Sequence, residues 1–188
     1  MKNVWIVLGS IVGVVVIIGG MYASYYNKLV TLNESITGAW AQVESQYQRR
    51  LDLIPNLVNT VKGYAKHEKD VFIAVADARA KLGGAKTTND KAKATGELDG
   101  AISRLLMIAE NYPQLKANEN FIRLQDELSG TENRIAVERQ RYNEVVRVYN
   151  IIVQRFPSNI VASMGGFQKK DAYFKSEEAA KTAPKVSF

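Results

Sequence analysis

Leu29-Val-Thr-Leu-Asn-Glu-Ser-Ile-Thr-Gly-Ala-Trp-Ala-Gln-Val-Glu-Ser-Gln-Tyr-Gln-Arg-Arg-Leu-Asp-Leu-Ile-Pro-Asn-Leu-Val58 repeats its apolar side chains at intervals of three and four residues. Leu29, Leu32, Ile36, Trp40, Val43, Tyr47, Leu51, Ile54 and Val58 fall on one stripe, which Val61, Ala65, Phe72 and Val75 continue. A helix turns about 100° per residue, so this spacing gathers the apolar groups on one side, as in a helix that packs into a bundle. Pro55 interrupts the pattern chemically but not in register. It has no amide hydrogen for the carbonyl of Leu51 and its ring crowds that turn, so a bend is expected there. The stripe predicts one bent helix from Leu29 to Leu82, roughly 80 Å at helical rise, stopped by Gly83-Gly84.

Upstream, residues 3–27 carry no formal charge, and Val4-Trp-Ile-Val-Leu-Gly-Ser-Ile-Val-Gly-Val-Val-Val-Ile-Ile-Gly-Gly-Met-Tyr-Ala23 is almost wholly apolar. As a helix it is roughly 30 Å long, the thickness of a bilayer hydrocarbon core. It exceeds the apolar core of a cleaved secretory signal, and Met21 is too large for good processing at Met21-Tyr22-Ala23. Residues 1–25 are therefore read as an uncleaved anchor. Trp5 at one end and Tyr22, Tyr25 and Tyr26 at the other suit the headgroup level. Gly9 with Gly13, and Gly20 with Ser24, set small residues four apart, a spacing that lets two helices approach closely in lipid. Lys2 and Lys28 balance across the span, so orientation is weakly specified. The reading is a single-pass protein of the cell (inner) membrane with its domain on the extracytoplasmic side, a cytoplasmic domain being the alternative.

Downstream, Ala85 to Lys91 is a polar connection in which Asn89-Asp90 can cap the next helix. Leu98, Ile102, Leu105, Leu106, Ala109 and Tyr112 give a second stripe, stopped by Pro113. Asn118 opens a third helix with Phe121, Leu124, Leu128, Ile135, Tyr142, Val146, Tyr149 and Val153 inward, closed by Phe156-Pro157. Gly130 lies where this stripe thins, and a local distortion is expected. Asn159 to Met164 makes a short helix ended by Gly165-Gly166, Tyr173 to Ala180 another, and Thr182 to Phe188 is extended. No alternating run is long enough for a sheet. The fold class is all-α: an N-terminal transmembrane helix (1–25), an elongated antiparallel bundle of about four helices (26–164), and a short C-terminal helix with a tail (165–188).

The composition narrows the chemistry. A net charge of +6 is spread thinly along 188 residues, which fits a solvated helical surface near anionic lipid and no nucleic-acid partner. There is no cysteine and one histidine. His67-Glu-Lys-Asp-Val71 fails the His-Glu-x-x-His zinc pattern, since Val71 stands at its second histidine. No feature connects His67 to a nucleophile, and Gly83-Gly84 lacks the Lys-Ser/Thr of a phosphate loop. No enzyme activity, metal or cofactor is expected. Asn56, Asn111, Asn118, Asn120, Asn133, Asn143 and Asn150 are numerous for helices and are expected to cap helix ends or bridge between helices.

Ala39-Trp-Ala-Gln-Val43, Gln48-Arg-Arg-Leu-Asp-Leu-Ile-Pro-Asn-Leu-Val58, Ala109-Glu-Asn-Tyr-Pro113, Thr131-Glu-Asn-Arg-Ile135, Tyr142-Asn143, Tyr149-Asn150 and Phe156-Pro157 together resemble the LemA family. The resemblance runs from Tyr26 to Phe174. It implies an N-terminally anchored antiparallel bundle of unestablished activity. Some relatives carry a lipid-bearing cysteine just before the Tyr-Asn that opens the domain; Ser24 stands near that place here, so this chain departs from them in keeping a peptide anchor. Arg49, Arg50, Asp52, Pro55 and Asn56 lie in the most specific string, and Trp40 in the Ala39–Val43 segment before it. The arginines can grip a carboxylate or phosphate in bidentate fashion, or pair with Glu110, Glu119 or Glu132 on a facing helix. The functional expectation is a non-catalytic scaffold acting through self-association, through other membrane proteins and at the bilayer. Its rival is a ligand-sensing, signal-transmitting input domain with a pocket at Arg49, Arg50 and Asp52.

Overall fold

The computed structural model describes residues 2–174. Six helices follow in order: α1 (Lys2–Tyr64), α2 (Lys69–Gly84), α3 (Thr88–Glu110), α4 (Pro113–Lys116), α5 (Glu119–Gln154) and α6 (Ser158–Met164). Among the described residues there is no strand, so the all-α expectation holds. The chain divides into two compact units. One joins residues 2–40 to Glu144–Asp171; the other joins Ala41–Asn143 to 172–174. Of the C-terminal expectations, Tyr173 and Phe174 are not helical, and the rest of the 173–180 helix and the 182–188 tail lie outside the described residues.

In the unit built on Ala41–Asn143, α2 runs back along α1 and α3 runs with it. Arg79 of α2 reaches the Leu51 carbonyl. Lys91 and Asp99 of α3 meet Glu44 and Arg50 of α1 in turn. Lys81 and Glu97 clasp α2 to α3 at 2.6 Å. Val43, Tyr47, Ile54, Leu57 and Val61 of α1 are fully covered, as are Val75, Leu82, Leu98 and Leu105 opposite them. Burying side chains of this size stabilises by about 1.5–3 kcal/mol each, which makes this seam the main source of cohesion.

The expected helix from Leu29 to Leu82 is two helices. α1 ends at Tyr64, the Glu68 amide donates to the Ala65 carbonyl at 3.2 Å, and α2 starts afresh at Lys69. The physical reason lies in Lys66-His-Glu-Lys-Asp70, five consecutive polar residues that offer no apolar group to hold the stripe after Ala65. α1 does pass through Pro55. Beyond it Leu57 takes the buried place expected of Val58, which is half-buried, while Val61 and Ala65 remain buried on the stripe, so the register survives the proline.

Two further local expectations change. Thr87, not Asn89-Asp90, caps α3: its hydroxyl accepts from the Asp90 amide at 3.1 Å and donates to the Asp90 carboxylate at 2.7 Å. The first bond is the N-cap contact to the third helical amide, and the second orients the threonine hydroxyl for it. Gly130 causes no break, because α5 is continuous from Glu119 to Gln154. Thr131 fills the thin part of its stripe, fully buried with its hydroxyl bonded to the Leu128 carbonyl at 2.7 Å. Asn118 does open α5, accepting from the Phe121 amide at 3.1 Å.

In the other unit, residues 3–22 of α1 expose their large apolar side chains along the whole stretch. Below Tyr25 this changes: Leu29, Ile36 and Ala39 are buried, with Val146, Tyr149, Val161 and Ala162 also covered in this unit. Gly165-Gly166 then turns the chain. Gly166 has φ +72°, and a side chain at Gly165 would meet the Phe167 ring at 2.8 Å and the Tyr26 ring at 3.2 Å. Only glycine fits both demands at this corner.

Candidate functional site

The arginine string does not form one pocket. Arg50 is buried, 3% exposed, while Arg49 and Asp52 face solvent. Successive residues on a helix point 100° apart, so Arg49 and Arg50 cannot share a ligand readily. Arg50 donates to the Asp99 carboxylate of α3, with Glu132 of α5 at 3.9 Å. Asp99 was not among the carboxylates expected; Glu132 was. Glu110 pairs instead with Lys116 at 2.6 Å. Asp52 accepts from Gln48 at 2.8 Å. The Nε and Nη1 of Arg50 are buried without a hydrogen-bond partner, and leaving such groups unpaired costs stability.

Pro55 and Arg79 form a linked pair that the sequence half announces. Proline cannot donate to the Leu51 carbonyl. Arg79 of α2 supplies the missing donor, its Nε lying 2.9 Å from that oxygen. Pro55 is half-buried facing α2, beside Phe72 and Ala76. Asn56 points to solvent, and its carbonyl accepts from the Thr60 hydroxyl at 2.8 Å. Trp40 is half-buried on α1.

A cleft of about 380 Å³ lies between α1 and the α2–α3 connection, lined by Glu44, Tyr47, Gln48, Gly83 and Lys91. Lys91 is buried, 3.6 Å from the Glu44 carboxylate and 5.4 Å from the centre of the Tyr47 ring. The Tyr47 hydroxyl is buried without a hydrogen-bond partner. Among the described residues, no three His, Cys, Asp or Glu side chains gather closely enough to hold a metal ion.

A second polar device escaped the sequence reading. Asn150 donates to the Lys170 carbonyl at 2.7 Å and accepts from the Lys170 amide at 2.9 Å, and the Tyr149 hydroxyl donates to the Gln168 carbonyl at 3.1 Å. In the other unit Asn143 does the same to Phe174, at 2.8 Å in both directions, with Tyr142 edge-on to the Phe174 ring at 5.5 Å. Burial pushes the phenols of Tyr142 and Tyr149 above their ordinary value. On the surface, the hydrogen bond between Lys81 and Glu97 raises the lysine and lowers the carboxyl. Arg147 likewise lowers Glu144.

Gly9, Gly13 and Gly20 have open space where a side chain would stand, and Ser24 is exposed. The described chain has one helix long and apolar enough to cross a membrane, α1, with none of that apolar stretch buried.

Among the described residues, a helical fold with a long apolar N-terminal segment and asparagines holding the run of backbone after α6 defines the class. The chain belongs to the LemA family, whose model matches residues 39–188. Magnetosome protein MamQ 2 of Paramagnetospirillum magneticum is 27% identical over 183 residues, covering 84% of this chain and 67% of the relative. Magnetosome protein MamQ of Magnetospirillum gryphiswaldense is 26% identical with the same coverage. Protein LemA of Metamycoplasma hominis is 25% identical over 156 residues, covering 81% of this chain and 68% of that one.

Proposed function

We propose that this LemA-family chain is a single-pass membrane protein that works by contact, as a non-catalytic scaffold binding copies of itself or other membrane proteins at the bilayer. The observation that carries the reading is the unburied apolar stretch of α1, which continues without a break into the bundle. In water such a surface is untenable, and in lipid it is satisfied. Gly9, Gly13, Gly20 and Ser24 form the open face on which a second α1 fits. The bundle is assigned to the extracytoplasmic side of the cell membrane. Crosslinking in native membranes tests this: discrete multiples of the chain, or one fixed partner, are expected, and Gly13→Leu is expected to reduce the self-crosslinked species. A chain that stays monomeric and partner-free overturns it.

The buried Lys91, over the Tyr47 ring and 3.6 Å from the exposed Glu44 carboxylate at the mouth of the cleft, favours a second reading, a ligand-sensing input domain. Thermal stabilisation by a small anionic metabolite, lost in Lys91→Met, would support that reading over scaffolding alone.

A further inference from the structure

We infer that α6 is a membrane-surface helix, half sunk into the leaflet beside the bundle, and that phospholipid acyl chains fill the groove between α6 and α1. The inference rests on α1 being the membrane anchor. The groove, about 560 Å³, is lined by Val15, Ile18 and Tyr22 of α1 facing Pro157, Ile160 and Met164 at α6. Every side chain around it is apolar or aromatic apart from one glycine. Phe156 is 75% exposed, Ile160 53% and Met164 71%. Ile160 and Met164, one turn apart on α6, and Phe156 in the turn before it make a surface that water does not tolerate well.

The occupant follows from continuity. The α1 wall of the groove is part of the apolar stretch that spans the bilayer, so whatever solvates that stretch reaches the groove. Val15 and Tyr22 are seven residues apart, about 10 Å along the helix axis. A helix packed against that interval lies as deep as interfacial helices do, about 5–10 Å below the headgroups. The polar demands of such a site are met. The Gly165 amide donates to the Val161 carbonyl and the Phe167 amide to the Ala162 carbonyl, both at 2.9 Å, leaving these backbone donors paired. Tyr22, Tyr26 and Phe167 cluster at the lip, with ring centres 6.1 and 5.6 Å apart in sequence, where aromatic groups favour the interface. Arg155 adjoins Phe156 and is exposed, so a cation stands beside the groove where anionic headgroups would meet it, while Lys169 and Lys170 after α6 are engaged by Asp171 and the Tyr149 ring. On this reading the bundle has two attachments to lipid rather than one.

The chain has no cysteine, so a single cysteine gives a unique spin-label site in the full-length protein. Ile160→Cys, Met164→Cys, Val15→Cys and Gln140→Cys would be labelled with a nitroxide. Each would be reconstituted in vesicles of phosphatidylcholine with phosphatidylglycerol. Accessibility to oxygen relative to a water-soluble nickel chelate reads depth. The expected ratio at Ile160 and Met164 is several-fold above that at Gln140 and close to that at Val15. A water-like ratio at both α6 sites with a lipid-like ratio at Val15 overturns the inference and leaves the anchor standing. A water-like ratio at Val15 overturns the anchor, and the inference with it. Spin–spin broadening at Ile160 that vanishes on dilution with unlabelled protein assigns the groove to a second copy and also overturns it.

Discussion

A proline inside a buried helix leaves one carbonyl without its partner, and here that debt is met from another helix. The Leu51 oxygen, orphaned by Pro55, takes its hydrogen bond from Arg79. This explains how a bundle helix tolerates the residue that most strongly breaks helices. The guanidinium also ties α2 to α1 at a defined height. Arg79→Met keeps the apolar stem and removes the donor, and should lower stability by about 1–3 kcal/mol, read by chemical unfolding in detergent. In a Pro55→Ala background the backbone regains its own donor, so the same Arg79→Met change should cost clearly less. Equal costs in the two backgrounds would show that Arg79 and Pro55 are uncoupled. Arg50 plays a different part. Its burial with Asp99 and Glu132 fixes α1 against α3 and α5, while Arg49 next to it remains on the surface. Adjacent identical residues thus have unrelated roles, which a string of letters conceals and a helical wheel predicts.

At the scale of elements, the repeated Tyr-Asn pairs of α5 stand out. Tyr142-Asn143 and Tyr149-Asn150 are seven residues apart, two helical turns, so both pairs face the same way. In each unit the asparagine reads both the amide and the carbonyl of one residue of the chain that follows α6. An asparagine side chain is a copy of a peptide group, so it can bond an irregular backbone as a strand neighbour would. Asn150→Ala removes two such bonds from a buried position and should cost about 1–3 kcal/mol. It should also speed proteolysis after Gly166 without loss of helical signal, and unchanged cleavage would refute the pinning role. The helices themselves were legible: periodicity located α3, α5 and the Ser158–Met164 turn within a few residues, because burial on one side leaves a direct trace in residue order. The break at residues 65–68 was legible too, in the polar run Lys66 to Asp70, but the glycines after Leu82 drew the boundary too late. The Tyr-Asn pins were visible only as an excess of asparagine. Their partners are backbone groups, which have no letter in the sequence. For the same reason the carboxylate chosen by Arg50 could not be singled out, since helix phase across a bundle is set by packing and not by spacing along one helix.

For the molecule as a whole, charge decides the range of pH over which the fold is held. Glu97 and Glu144 titrate below the ordinary carboxylate value, Glu97 through its bond to Lys81 and Glu144 through Arg147. Their contribution is present above the unfolded carboxylate pKa and fades as pH falls through the lowered values. Both pairs lie at the surface, where ion pairs contribute little, so the acid limb should be shallow. The alkaline limb rests on different groups. Tyr142 and Tyr149 are buried and their phenols are raised. The folded chain then holds protons that the unfolded chain releases, so stability is full below the unfolded tyrosine pKa, about 10, and declines as pH rises through the folded values. The two tyrosines belong to different units, so each unit carries its own alkaline weak point, and at about 10 Å separation along α5 their effects should add. Absorbance titration of the nine tyrosines in detergent should show a late-titrating fraction that shrinks in Tyr142→Phe and again in Tyr142→Phe with Tyr149→Phe. The double variant should lose less stability than the parent chain between neutral and strongly alkaline pH, even though Tyr149→Phe gives up the bond to the Gln168 carbonyl. An alkaline limb as steep in the double variant as in the parent would place the sensitivity elsewhere. The raised Lys81 is then the group to test, since its contribution too is lost as pH climbs through its elevated value.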